Sequence, residues 1–204
     1  MQLSIITLPT LVANEAEAIR ELLAEGTCRI HLRKPNATAD ALRRCLDAMH
    51  PDCFANVVMH YYPQLVDEYG LAGFHFNKKN VEQLSNCNYR HQSYSAHTFE
   101  EALSMQHYRL DYCFLSPIFE SISKEGYAST FTIDELRTFI GTAPSTLKLF
   151  ALGGISAETI AQTKALGFTG AALLGAVWQN FAADASVADV VFHYKKIKQL
   201  CDLL

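Results

Sequence analysis

The chain has 204 residues, half of them hydrophobic, and 21 acidic against 17 basic side chains give it a formal net charge of −4. That length suits one domain with a sizeable core, and an acidic balance without a long basic run argues against nucleic acid as the main partner. Six cysteines (28, 45, 53, 87, 113 and 201) form no CxxC pair and are expected as reduced thiols of a cytoplasmic protein; no stretch approaches the ~18 apolar residues of a membrane span, and Met1–Thr7 lacks the flanking charge of a signal peptide.

Eight short apolar runs follow one another along the chain: Leu3–Leu8, Cys28–Leu32, Ala55–Met59, Ala72–Phe76, Gln92–Ala96, Tyr112–Leu115, Leu147–Leu152 and Gly170–Leu174. Their near-continuous apolarity is that of parallel strands covered on both faces. Helical stripes separate most of them. Asn14–Ala24 puts Ala16, Ile19, Leu22 and Leu23 on one side, and Thr38–Met49 does the same with Leu42, Leu46 and Met49. Pro63–Tyr69 is a short, weak helix, and the polar segment Asn77–Arg90 has no clear stripe. Thr98–Met105, Thr132–Ile140 and Ser156–Ala165 follow, with Thr132–Glu135 spaced as a capping box. Glu120–Phe131 reads as a loop, and Val187–Leu203 as a closing amphipathic helix that either covers the core or forms an interface between copies. A repeat of roughly 20–30 residues per βα unit predicts a single-domain (β/α)8 TIM barrel over 1–204.

In such a barrel the chemistry sits at the C-terminal strand ends. Strands 7 and 8 end in glycines, Gly153-Gly154 and Leu174-Gly175, each read as running straight into a helix. Amides freed of any Cβ next to a helix N-terminus hold phosphate. The other ends carry His31 and Arg33, His60 and Tyr61, His75 with Lys78, Lys79 and Asn80, Ser95 with His97, and Ser116-Pro117 leading to Ser121, Ser123 and Lys124. This rim of hydroxyls, imidazoles and cations suits an anionic ligand and excludes a hydrolase built on paired carboxylates. Arg33 suits bidentate phosphate binding; a salt bridge at the rim is the plainer role. Lys124, beside two serine hydroxyls, suits phosphate, although a lone loop lysine is usually only solvated. Lys78 and Lys79 are either a clamp or a solvated turn. His31, His60, His75 and His97 are either buried, hydrogen-bonded rings or, with less support from their spacing, a metal cluster.

On five of these segments the chain resembles the thiamine phosphate synthase / thiazole tautomerase superfamily. They are Ile30–Arg33, Gly70–Phe76, Ser93–His97, Asp111–Lys124, and the glycine pair with Gly167–Gly175. The resemblance implies a transferase that joins an aminopyrimidine methyl pyrophosphate to a thiazole phosphate through a pyrimidine cation and releases pyrophosphate. It implies catalytic roles for Arg33, Ser95, Ser121, Ser123 and Lys124, and a thiazole phosphate site at Gly153, Gly154, Leu174 and Gly175. His31, His60, Lys78 and Lys79 are the further substrate-binding candidates. The lysines would reach the pyrophosphate in place of a metal.

The departures are specific. The final lysine of the family's strand-2 motif falls on Pro35, next to Lys34. The two carboxylates that bind Mg2+ in the synthases fall on Tyr61 and Asn80. The catalytic histidine of the tautomerases falls on Pro117, as in the synthases. Two rival readings therefore stand beside the synthase: a thiazole phosphate isomerase with His31 or His60 as proton carrier, and a non-catalytic protein that binds thiamine phosphates.

Overall fold

The computed structural model describes residues 1–120, 130–184 and 186–203. Its eight strands are β1 (Gln2–Ile6), β2 (Arg29–Leu32), β3 (Val57–Met59), β4 (Gly73–Phe76), β5 (His91–Ala96), β6 (Tyr112–Leu115), β7 (Leu149–Leu152) and β8 (Gly170–Leu173). All neighbours are parallel, in sequence order, and β8 closes on β1 with Leu3 opposite Ala171. Every expected strand forms, within two residues at each end. The helices are α1 (Glu15–Ala24), α2 (Ala39–Asp47), α3 (Gln64–Tyr69), α4 (Phe99–Ser104), α5 (Ile133–Thr142), α6 (Ile160–Ala165), α7 (Phe181–Asp184) and α8 (Val187–Leu203). None of them is long and apolar enough to cross a membrane.

Side-chain caps set three of the helix starts. The Thr38 and Thr98 hydroxyls accept from the amides of Ala41 and Glu101. Thr132 and Glu135 form the expected capping box. The helix after β7 starts four residues later than expected. Thr159 Oγ1 accepts the Ser156 amide and donates to the Gly154 carbonyl, both at 2.9 Å, which holds Ser156–Thr159 in a polar turn. After β8 no helix follows directly either. A tight turn bonds the Val177 and Trp178 amides to Leu174 O at 3.1 Å, and the brief α7 comes after it.

Two apolar layers result. Outward strand residues such as Ile30, Leu32, Phe74 and Phe76 pack with helix residues such as Ile19, Leu22 and Leu46. The closing helix α8 buries Val190, Tyr194, Ile197 and Cys201 and lies on α1 and α6. Inside the barrel, Ile6, Tyr112, Phe114, Phe150 and Ala172 form a smaller cluster. Much of the rest of the interior is polar: Ser4, His31, His75, His91 and Ser93 are all buried, with Val58 of β3 among them. Strands β6–β8 thus line the barrel mainly with apolar groups, while β2, β4 and β5 bring in the imidazoles. At Gly73, where β4 meets β5, a Cβ would fall on the His91 carbonyl, so only glycine lets the two backbones pair there.

Lys34, just past β2, turns away from the strand ends. Its ammonium is fully buried, 2.7 Å from Glu15 Oε1, and also donates to Leu8 O and Thr10 O. Lys34→Met leaves the Glu15 carboxyl buried without its cation, and chemical denaturation is expected to show a loss of about 3 kcal/mol. Adding Glu15→Gln is expected to recover part of that loss. A single variant as stable as the parent would contradict the pairing.

Candidate functional site

The C-terminal strand ends enclose a cleft of 790 Å³. Its polar side is Arg33, His60, Tyr61, His75, Asn77 and Ser95, and its apolar side includes Phe114, Leu152, Leu174 and Trp178. Trp178 is pinned by its indole N–H, which donates to Ile6 O at 2.8 Å. Gly153, Gly154 and Gly175 complete the mouth.

The glycine pair has two separate duties. Gly153 and Gly154 have φ of +94° and +66°, conformations that other residues rarely adopt. A Cβ at Gly154 would also lie 2.6 Å from Phe119 Cβ, so the glycine admits the loop after β6. That loop is held by the amides of Ile118 and Phe119, which donate to Leu152 O and Gly153 O. Backbone conformation and loop packing thus already require glycine here. The amides of Gly154, Ile155, Gly175 and Ala176 have no acceptor among the described residues. Four such N–H groups at one rim are free to donate to an acceptor in the cleft.

After β2, Arg33 is half-buried, and its own amide donates to Thr7 Oγ1 at 3.0 Å. No carboxylate pairs with its guanidinium among the described residues, so the rim salt bridge does not form. Below it lies a set of imidazoles. The Tyr112 hydroxyl sits 2.6 Å from His31 Nε2, and His31 Nδ1 is 3.0 Å from His60 Nε2. Ser4 Oγ, the other neighbour of that phenol, is 3.5 Å away. The phenol therefore donates to His31 Nε2, His31 Nδ1–H donates to His60 Nε2, and the proton of His60 is left on Nδ1, toward the cleft. His75 is bracketed by Ser93 Oγ at 2.8 Å and Ser95 Oγ at 2.7 Å, which orients the Ser95 hydroxyl.

Burial, reinforced by neighbouring positive centres, holds all three rings neutral. His31 and His60 lie well below the usual imidazole range, through burial first and the nearby His75 second. Burial, with His91 and Arg33 near, pushes His75 down to about 3. Nitrogens of His31, His60 and His75 lie within 4.8 Å of one another. Yet both nitrogens of His31 and His75 already have partners, and the His60 and His75 rings stack at 4.2 Å, with their edges parallel instead of converging on one point. The buried, hydrogen-bonded arrangement accounts for them. His97 stands apart, with Nδ1 3.1 Å from Ser116 O.

The other candidates divide. His31 is sealed under the cleft floor, beneath His60, His75 and Phe114, and does not line the cleft itself. Lys78 and Lys79 are exposed and do not line the cleft, and Lys78 lies 3.7 Å from Glu101. Ser121, Ser123 and Lys124 lie outside the described residues. Of the two positions expected for metal carboxylates, Tyr61 lines the cleft with a phenol. Asn80 does not line it, and its Oδ1 accepts the Asn77 amide at 2.7 Å. No carboxylate lines the cleft among the described residues. Magnesium requires hard, anionic oxygens, so this donor set does not fit it.

Comparison with known proteins agrees with the architecture. A profile of the thiamine monophosphate synthase family matches residues 3–177. The thiamine-phosphate synthase of Latilactobacillus sakei subsp. sakei (strain 23K) is 38% identical over 86 residues, which is 42% of this chain and 38% of that relative's length. The crystal structure of thiamine phosphate pyrophosphorylase from Bacteroides thetaiotaomicron superposes with a TM-score of 0.85 at 34% identity, covering 100% of this chain and 98% of that one. The Pyrococcus furiosus thiamine phosphate pyrophosphorylase shares the fold at 18% identity and a TM-score of 0.78, over 99% of this chain and 96% of that one. With its eight-stranded barrel, its family profile across most of the length and a full-length structural relative at 34% identity, the chain belongs to the thiamine monophosphate synthase family.

Proposed function

We propose that this protein joins an aminopyrimidine methyl pyrophosphate to a thiazole phosphate, forming thiamine phosphate and releasing pyrophosphate. The observation that carries this reading is one cleft lined both by the open glycine turns after β7 and β8 and by the guanidinium of Arg33 after β2, with apolar side chains beside them. The four open amides after β7 and β8 take the thiazole phosphate. Phe114 and Trp178 receive the heterocycles edge to face or stacked, and Leu152 and Leu174 pack beside them.

The pyrophosphate lies against Arg33, with His60 Nδ1–H and the Ser95 hydroxyl as neutral donors. The C–O bond to pyrophosphate breaks, and the leaving group takes the electron pair. The thiazole nitrogen then gives its lone pair to the pyrimidine methylene cation. No proton transfer is required for either event, so the protein's task is charge stabilisation and alignment. Ser121, Ser123 and Lys124 join that task in this reading.

The donor set makes the leaving-group site independent of magnesium. Purified protein with both substrates is expected to release pyrophosphate and thiamine phosphate in equal amounts, at comparable rates with magnesium and with a chelator. An absolute magnesium requirement would contradict the metal-independent site. Tight binding of thiamine phosphate with no turnover in either condition would replace the synthase by the binding protein. The isomerase reading has less support. His31 cannot reach a ligand, and an imidazole held far below its normal pKa is a poor base.

A further inference from the structure

Two buried hydroxyls lie in one layer of the barrel interior, with Ser93 of β5 and Tyr112 of β6 paired in register. Neither lines the cleft. Each sits against one end of an imidazole. The nearest acceptor for the Tyr112 proton is His31 Nε2 at 2.6 Å, and Ser4 Oγ is remote at 3.5 Å. Ser93 is fully buried, and His75 Nδ1 at 2.8 Å is the one acceptor its hydroxyl has among the described residues. A buried hydroxyl with a single good acceptor gives its proton there, because leaving the bond unmade costs the desolvation of the group.

Those two protons fix the neutral rings that follow. His31 accepts at Nε2, so its own proton is on Nδ1, 3.0 Å from His60 Nε2, and His60 carries its proton on Nδ1. His75 accepts at Nδ1, so its own proton is on Nε2, 2.7 Å from Ser95 Oγ, and the Ser95 hydroxyl keeps its proton for another acceptor. His60 and Ser95 both line the cleft. His60 Nδ1 has no partner among the described residues and is not closed off from solvent. The two chains run side by side, with the His60 and His75 rings stacked at 4.2 Å. Run in reverse, either chain would turn a lone pair to the cleft instead of a proton.

We propose that Tyr112 and Ser93 are positioning residues, which set the direction of two imidazole chains so that His60 Nδ1–H and the Ser95 hydroxyl both meet the leaving pyrophosphate as donors. The ligand in this statement rests on the synthase reading above; the proton directions do not. A lone pair at either place would repel the anionic oxygens, so the polarity set one layer down decides whether this part of the cleft attracts the leaving group.

The directions are read without substrate, from the imidazole 15N resonances of the full chain at about pH 7. His60 is expected as the Nδ1–H tautomer and His75 as the Nε2–H tautomer. Tyr112→Phe keeps the ring that stacks on Phe150 at 4.0 Å and removes the proton. It is expected to release His60 from its single tautomer and to lower kcat for thiamine phosphate formation about tenfold, with little change in KM for the thiazole phosphate. Ser93→Ala is expected to act in the same way through His75. A purely structural role would lower stability and leave the tautomers in place. The proposal is overturned by the opposite tautomer at His60 or His75 in the parent protein, or by parental tautomers or parental kcat in both variants. The expected tautomers in a parent protein without turnover would support the two chains and count against the synthase reading alone.

Discussion

Replacing Arg33 by Gln is expected to lower kcat/KM for thiamine phosphate formation by about 10²–10³-fold, the usual cost of removing one preorganised stabiliser of developing charge. Arg33 is the one cation lining the cleft among the described residues, and no carboxylate neutralises it. In the proposed site it is expected to offset much of the charge that builds on the leaving pyrophosphate. The fall should appear mainly in kcat, because the interaction strengthens as the C–O bond breaks. Thermal unfolding should change little, since the guanidinium has no ion pair among the described residues. Arg33→Lys keeps the charge but not the planar fork and should recover only part of the rate. Steady-state kinetics on the three proteins would decide; parental turnover in Arg33→Gln would remove the leaving-group site from this rim.

Acid is expected to unfold the protein earlier than carboxylate titration alone would. His31, His60, His75 and His91 are held neutral by burial, two of them far below the usual range and the others down to about 3 and 4. In the unfolded chain each returns to about 6.5. The unfolded state therefore binds more protons as pH falls below 6.5, and stability drops until the folded values are reached. Above 6.5 both states are neutral and this contribution is complete. Each ring costs roughly 1 kcal/mol per pH unit in the window, so the four together cost about 4 kcal/mol per unit. Against a net stability of roughly 5–15 kcal/mol, unfolding is expected between about pH 5 and 4. Urea unfolding measured across pH should be flat above neutrality and steep below 6.5. A free energy unchanged from pH 7 to 5 would contradict the neutral cluster.

The barrel was legible because its evidence is redundant. Strands covered on both faces must be apolar along their length, so runs such as Leu149–Leu152 and Tyr112–Leu115 stand out without any tertiary information. That Gly153, Gly154, Gly175 and Arg33 would line one cleft was legible from their places at strand ends, whereas Lys78 and Lys79 do not line it. The polar barrel interior was less so. Arg29, His31 and Arg33 share one side of β2, and His91, Ser93 and Ser95 share one side of β5, by simple alternation. Running that alternation back from Arg33 and Ser95 would have found the lower residues of the network. Tyr112 gave no such signal, because a tyrosine in an apolar run looks like packing until a histidine from β2 is seen 2.6 Å away.

The turns were misjudged for another reason. Ser156–Thr159 has the composition of a helix start, but its hydroxyls close a turn onto Gly154 first. Lys34 looks like a replacement for the rim lysine lost at Pro35. Only the fold brings Glu15 alongside it, and a buried ammonium takes the carboxylate.

The most direct measurement is a crystal structure with thiamine phosphate and pyrophosphate bound together. The account predicts the thiazole phosphate on the amides of Gly154, Ile155, Gly175 and Ala176, and the pyrophosphate against Arg33, His60 and Ser95, with no metal bridging to Tyr61 or Asn80. Pyrophosphate on the exposed Lys78 and Lys79, or a thiazole phosphate away from the glycine rim, would contradict it.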